Sequence, residues 1–205
     1  MGRRIFVLLA AIVAASAATA GDYDRGLRAA QAGDFETAFA EWMPLAEAGN
    51  PAAQYNIARM YRQGDFVEPD DAEAARWYLA AAEQGLVPAQ AQIGWMLANG
   101  VGVARDLRAA ARWTHRAAEG GDAQARQTLV ATQSELGWAY MGGDAGLSQD
   151  IGLSCMWFTF AAENGSAAAA EMAESVCGIA ARAGEAARIE RVRARCLATG
   201  FAECD

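Results

Sequence analysis

From Tyr23 onward, apolar side chains recur mostly at intervals of three and four, the spacing that lines one face of an α-helix. Phe35, Ala38, Phe39, Trp42 and Leu45 form one such stripe, and Ala74, Trp77, Tyr78 and Ala81 form another. Small residues in a stripe admit a neighbouring helix while the aromatic rings fill the gaps between them. The stripes are interrupted by helix-stop and helix-start residues. Gly33-Asp34 closes a short helix over 22–32, carrying Tyr23, Leu27 and Ala30, and offers Asp34 as the next cap. Pro44 falls near the end of that next helix and is expected to kink it. Asn50-Pro51 opens a third helix with a polar cap and a first-turn proline, and this helix ends near Gly64. Pro69 then bars continuation, and Asp70 or Asp71 is available to start the following helix. No segment reads as a strand.

The pattern is periodic. Aligning Gln54, Gln90 and Gln133 superimposes three runs without gaps, from Gln54 to Tyr61, Gln90 to Leu97 and Gln133 to Tyr140, each followed by Gly64, Gly100 or Gly143. Trp42, Trp77, Trp113 and Trp157 are each followed by Leu/Ala-Ala-Glu-x-Gly, and the tryptophans stand 35, 36 and 44 residues apart. A fixed period of this length signals stacked units, none of which can bury its apolar face alone.

The third unit is longer: Gly121 to Gln133 spans 12 residues where Gly49 to Gln54 spans 5. Seven added residues turn a helix through about two revolutions with only ~20° of drift, so they extend it without rotating its packing face. One helix is therefore predicted from Asp122 to about Met141. After Gly165, which ends the Trp157 element, two more remain, 166–182 and 185–199, the last pair lacking the tryptophan signature as a terminal unit should. The fold class is all-α, about ten helices in five hairpins with units near 22–49, 50–85, 86–121, 122–165 and 166–205.

Composition narrows the function. Every basic side chain is Arg, and the net charge of -8 becomes -10 once Arg3 and Arg4 leave with an N-terminal leader. That balance argues against nucleic acid and anionic lipid as partners. Residues 1–20 read as a signal peptide: Arg3-Arg4, an apolar run from Ile5, then Ala18-Thr19-Ala20 as cleavage site. Export to the periplasm or beyond is expected, with no membrane span after signal removal.

These residues resemble the Sel1-like repeat family, relatives of the tetratricopeptide repeat. The pattern stands as Ala89-Gln90, Ile93-Gly94, Gly100-Val101-Gly102-Val103, Asp106, Ala110, Trp113 and Ala117-Ala118-Glu119-Gly120, and covers about 34–170. The resemblance implies a right-handed α-α superhelix, a solenoid that serves as a scaffold for protein partners, often in bacterial envelopes. The sequence departs from the pattern at Phe66-Val67, where the counterpart of Gly102 is missing, and at Gly143-Asp144-Ala145-Gly146, so those loops are expected to differ in shape.

Four cysteines lie in the last quarter: Cys155, Cys177, Cys196 and Cys204. Cysteine-rich members of the family imply a link from Cys196 to Cys204 and with it one from Cys155 to Cys177; the residues alone leave three pairings, or free buried thiols, open. Some such relatives bind or slowly hydrolyse penicillins, which makes a β-lactamase-like hydrolase the alternative function. The residues point the other way. The single histidine, His115, stands mid-helix and reads as a surface residue; no serine has a nucleophile-elbow flank, and Gly100-Val101-Gly102 is too short for a phosphate loop. No cofactor and no metal site are expected.

A non-catalytic scaffold of the periplasm or envelope is the expected function. In related solenoids the first helix of each repeat lines the concave face. Ile57, Ile93 and Leu136, and Tyr61, Leu97 and Tyr140, recur and read as core. The varying positions between them, Asn56, Gln92 and Glu135 together with Arg59, Trp95 and Trp138, form the candidate partner-binding set, aromatic and Arg side chains being the strongest interface anchors. Packing of Trp95 and Trp138 against the next helix is the competing reading.

Overall fold

The computed structural model describes residues 21–204; the leader expected at 1–20 lies outside them. The described residues form ten helices and no strand: α1 Tyr23–Gln31, α2 Phe35–Glu47, α3 Pro51–Gln63, α4 Asp71–Glu83, α5 Val87–Asn99, α6 Leu107–Glu119, α7 Ala123–Gly142, α8 Ile151–Glu163, α9 Ala167–Arg182 and α10 Ala186–Ala198. They divide after Leu86 into two compact units. α1 to α4 pack in sequence in the first; in the second α5 pairs with α6, α6 with α7 and α7 with α8.

Local chemistry sets the helix ends. Asp34, Asn50, Asp106, Asp122, Asp150 and Ser166 each accept a hydrogen bond from the backbone N–H three residues on, satisfying a donor the helix cannot. Between Asp70 and Asp71 the cap is Asp70, whose carboxylate accepts from Ala72 and Glu73. Gly64 and Gly143 end α3 and α7 in the left-handed conformation. Pro44 lies inside α2, which runs on to Glu47. The seven added residues do extend one helix: α7 runs 20 residues without a break.

The repeated tryptophans are the core. Trp42, Trp77, Trp113 and Trp157 are all buried, Trp157 completely. Helix pairs close because glycine stands where a side chain would collide. A Cβ on Gly94 would lie 2.6 Å from the Thr114 methyl and 3.1 Å from its backbone nitrogen, and one on Gly137 would lie 2.8 Å from the Phe158 ring. The recurring glutamines tie the two helices of a unit together: the Gln54 oxygen accepts from Gln84 and Gln133 accepts from Asn164 in the same way, while the Gln54 amide reaches back to donate to Ala46 O on α2.

The loops expected to differ share their turn. Residues 64 and 66, 100 and 102, and 143 and 145 all have positive φ, Phe66 at 72° and Ala145 at 56° against 67° for Gly102. A backbone hydrogen bond from the closing aspartate fastens each loop: Asp70 N–H to Tyr61 O, Asp106 N–H to Leu97 O and Asp150 N–H to Tyr140 O. The third loop adds one residue, with Gly146 also left-handed.

The last two helices depart from a closed hairpin. Both α9 and α10 pack chiefly on α8. After α10 the chain turns at Gly200, and Phe201 enters the core with its ring centroid 5.6 Å from Trp157, 5.1 Å from Phe160 and 4.5 Å from His115. His115 is thus no free surface residue: it is half-buried against the tail, and that burial pushes its pKa below the usual histidine value while Glu119 opposes the shift.

Candidate partner-binding face

The first helices of the central repeats carry the six varying positions, and the structure separates them by burial. In the first unit Asn56 is buried, donating its amide to the Tyr23 hydroxyl at 3.1 Å, so it braces α3 against α1 instead of meeting solvent. This removes Asn56 from the binding set. Arg59, one turn on, is exposed.

In the second unit α5 presents Gln92 and Trp95, both half-buried, and α7 presents Glu135 and Trp138, both exposed. Trp138 is 49% exposed. Its ring meets Phe158 edge-on at 5.3 Å, with an angle of 86° between the planes. One edge of this tryptophan thus rests on α8, and half its surface faces water. Phe158, fully buried beneath it, is itself seated over Gly137. Glu135 is ion-paired with Arg105, whose Nε also donates to Ala98 O at 2.9 Å, so a loop arginine from one repeat is fastened between its own helix and the next. Arg105 also borders a hollow of about 500 Å³ between the α5–α6 and α7–α8 loops, lined by Leu97, Leu107, Ala145 and Leu147. Of the positions expected as core, Ile57, Ile93, Leu136 and Tyr140 are buried, whereas Tyr61 and Leu97 are half-buried.

Cys155 and Cys177 are bonded between α8 and α9 with Cα atoms 4.8 Å apart, and Cys196 and Cys204 are bonded between α10 and the tail with Cα atoms 4.5 Å apart. The first pair floors a cleft of about 290 Å³ where α9 and α10 diverge, lined also by Met156, Thr159, Ile189 and Arg193. Nothing in the helical periodicity signals this cleft, because it arises from two consecutive helices leaning on a third. Among the described residues no helix is long and apolar enough to cross a membrane, and no group of His, Cys, Asp and Glu is placed to hold a metal. The Ser154 hydroxyl, buried, donates to Gly137 O at 2.7 Å, and that of Ser134 donates to Val130 O at 2.9 Å, so both serve helix backbones.

Tandem helix pairs with glycine-seated contacts, buried tryptophans and shared left-handed turns define an all-α repeat protein of the solenoid class. The chain belongs to the Sel1 repeat family: residues 51–86, 87–122 and 130–166 match the Sel1 repeat model, together more than half of the sequence. A solved Sel1 repeat protein from Oxalobacter formigenes is 30% identical over 72% of this chain and 58% of its own, with a TM-score of 0.50. The c5321 protein, described as a protective antigen of uropathogenic Escherichia coli strains displaying an SLR fold, is 33% identical over 65% of this chain and 27% of its own, with a TM-score of 0.42. The chain thus spans 58% and 27% of these two structures. No protein of curated function matches it.

Proposed function

We propose that the protein is a non-catalytic scaffold of the bacterial periplasm or cell envelope that captures a protein or peptide partner on the first-helix face built by Gln92, Trp95, Glu135 and Trp138. Membership of a family of interaction scaffolds supports the coarse reading. The observation that carries the site is Trp138, a large apolar ring left half in water although Phe158 beneath it is fully buried. Such a ring offers binding area without costing the fold anything when it is covered. Two disulfides, and the leader read at residues 1–20, support an oxidising compartment.

The test is crosslinking capture from periplasm of the native host with the wild type and with Trp95→Ser/Trp138→Ser. Loss of a specific captured protein at unchanged melting temperature supports the face; a collapsed melting temperature assigns the rings to the core. Nitrocefin turnover above background by the purified chain would contradict the non-catalytic reading.

A further inference from the structure

The first unit holds an exposed aromatic cluster at a place where the backbone asks for glycine. Phe66 sits in the left-handed region with φ 72°, at the same point of the turn where Gly102 has φ 67°. Side chains rarely adopt this conformation because Cβ crowds the following carbonyl, and such outliers persist where something else holds them. Packing does not explain this one, for the Phe66 ring is 54% exposed. It leans instead on Phe39 at 5.6 Å, which in turn meets Tyr61 edge-on at 6.2 Å. Both supporting rings are only half-buried, although their positions along the helices read as core. Three rings from α2, α3 and their following loop thus form one open apolar patch. At the equivalent point of the third loop the left-handed residue is Ala145, which gives the turn without the ring.

The charges around the patch define what it fits. Asp65 and Glu68 flank Phe66 in the loop, and Glu36 stands one turn from Phe39 on α2. Arg25 pairs with Glu41 and Arg76 with Glu73. The neighbouring arginines Arg59 and Arg62 act on Tyr78, where their positive charge opposes the upward shift that burial causes. Residues 21–86 as a whole carry twelve carboxylates against five arginines. Field and patch together favour a cationic partner and repel an acidic one.

We propose that Phe39, Tyr61 and Phe66 form a docking platform for a basic peptide segment, which sets an apolar side chain on the rings and its Lys or Arg side chains among Glu36, Asp65 and Glu68. The site lies wholly in the first unit and shares no residue with the Trp95 and Trp138 face, so either can fail without the other.

Fluorescence anisotropy with a labelled synthetic peptide alternating Lys and Leu, added to the purified chain, tests it. The wild type binds this peptide and binds versions with Glu for Lys, or Ser for Leu, at least about tenfold more weakly. Phe66→Gly supplies the residue the turn prefers; its melting temperature stays level or rises while affinity falls about tenfold or more. Asp65→Asn with Glu68→Gln weakens binding and flattens its salt dependence. No binding of the basic peptide, equal binding of its Glu version, or unchanged affinity in Phe66→Gly overturns the proposal. A lowered melting temperature in Phe66→Gly also overturns it, because the ring is then part of the packing.

Discussion

Gly137→Ala sets two known effects against each other at the contact beneath Trp138. Gly137 lies inside the 20-residue helix α7, where replacing glycine by alanine gains about 1 kcal/mol from helix propensity alone. A Cβ there would lie 2.8 to 2.9 Å from three carbon atoms of the Phe158 ring, well inside the ~3.5–4.0 Å of an ordinary carbon contact. The ring must retreat, yet it is fully buried in a cluster with Cys155, Ala161, Ala169, Val176 and Ala180. Overpacking of this kind costs about 1–3 kcal/mol, which at its midpoint exceeds the propensity gain by about 1 kcal/mol. For a chain of this length that lowers the melting temperature by about 2–4 °C. Gly178→Ala provides the control: it stands in α9, and its Cβ would meet only the mobile tip of Arg182 at 3.5 Å. There propensity acts unopposed and the melting temperature rises. Calorimetry of the two variants decides by sign; stabilisation by Gly137→Ala equal to that by Gly178→Ala would refute the account of how α7 seats on α8.

Truncating a buried repeat tryptophan, Trp77→Ala or Trp113→Ala, is expected to cost about 3–5 kcal/mol by denaturant titration, whereas Trp138→Ser, already half in water, costs about 1 kcal/mol or less. His115 has its pKa lowered by burial beside Phe201, so the unfolded chain holds the proton more readily. The sign follows: stability is full above the unfolded value near 6.5 and declines as pH falls through the lower folded value, and His115→Gln flattens that decline in melts taken at successive pH. Non-reducing peptide mapping should recover Cys155 with Cys177 and Cys196 with Cys204; on the loop-entropy model, Cys196→Ser with Cys204→Ala costs about 2–3 kcal/mol.

What the sequence made legible was local or periodic. Asn50-Pro51, Gly64 and Asp106 mark helix ends through their own backbone chemistry, and the seven-residue addition before Gln133 extends α7 because it nearly completes whole helical turns. What it concealed depends on residues far apart. Asn56 looked free because its partner, the Tyr23 hydroxyl, arrives from a helix 33 residues earlier. His115 looked exposed because the residue that covers it, Phe201, belongs to a tail returned by the turn at Gly200 and tethered through Cys204. Phe66 and Ala145 suggested altered loops, yet both keep the positive φ of Gly102, and each loop is closed by the same aspartate hydrogen bond. The cleft between α9 and α10 follows from their shared support on α8, a relation that no spacing within either helix encodes.

Site-specific photocrosslinking in the native host tests the scaffold reading most directly. A photoreactive phenylalanine analogue placed at position 138 is predicted to yield one discrete, reproducible adduct with an envelope protein, while the same analogue at the exposed position of Ile179 on α9 yields none. No adduct at position 138 from a chain that folds and is exported, or the same adduct from both positions, would contradict it.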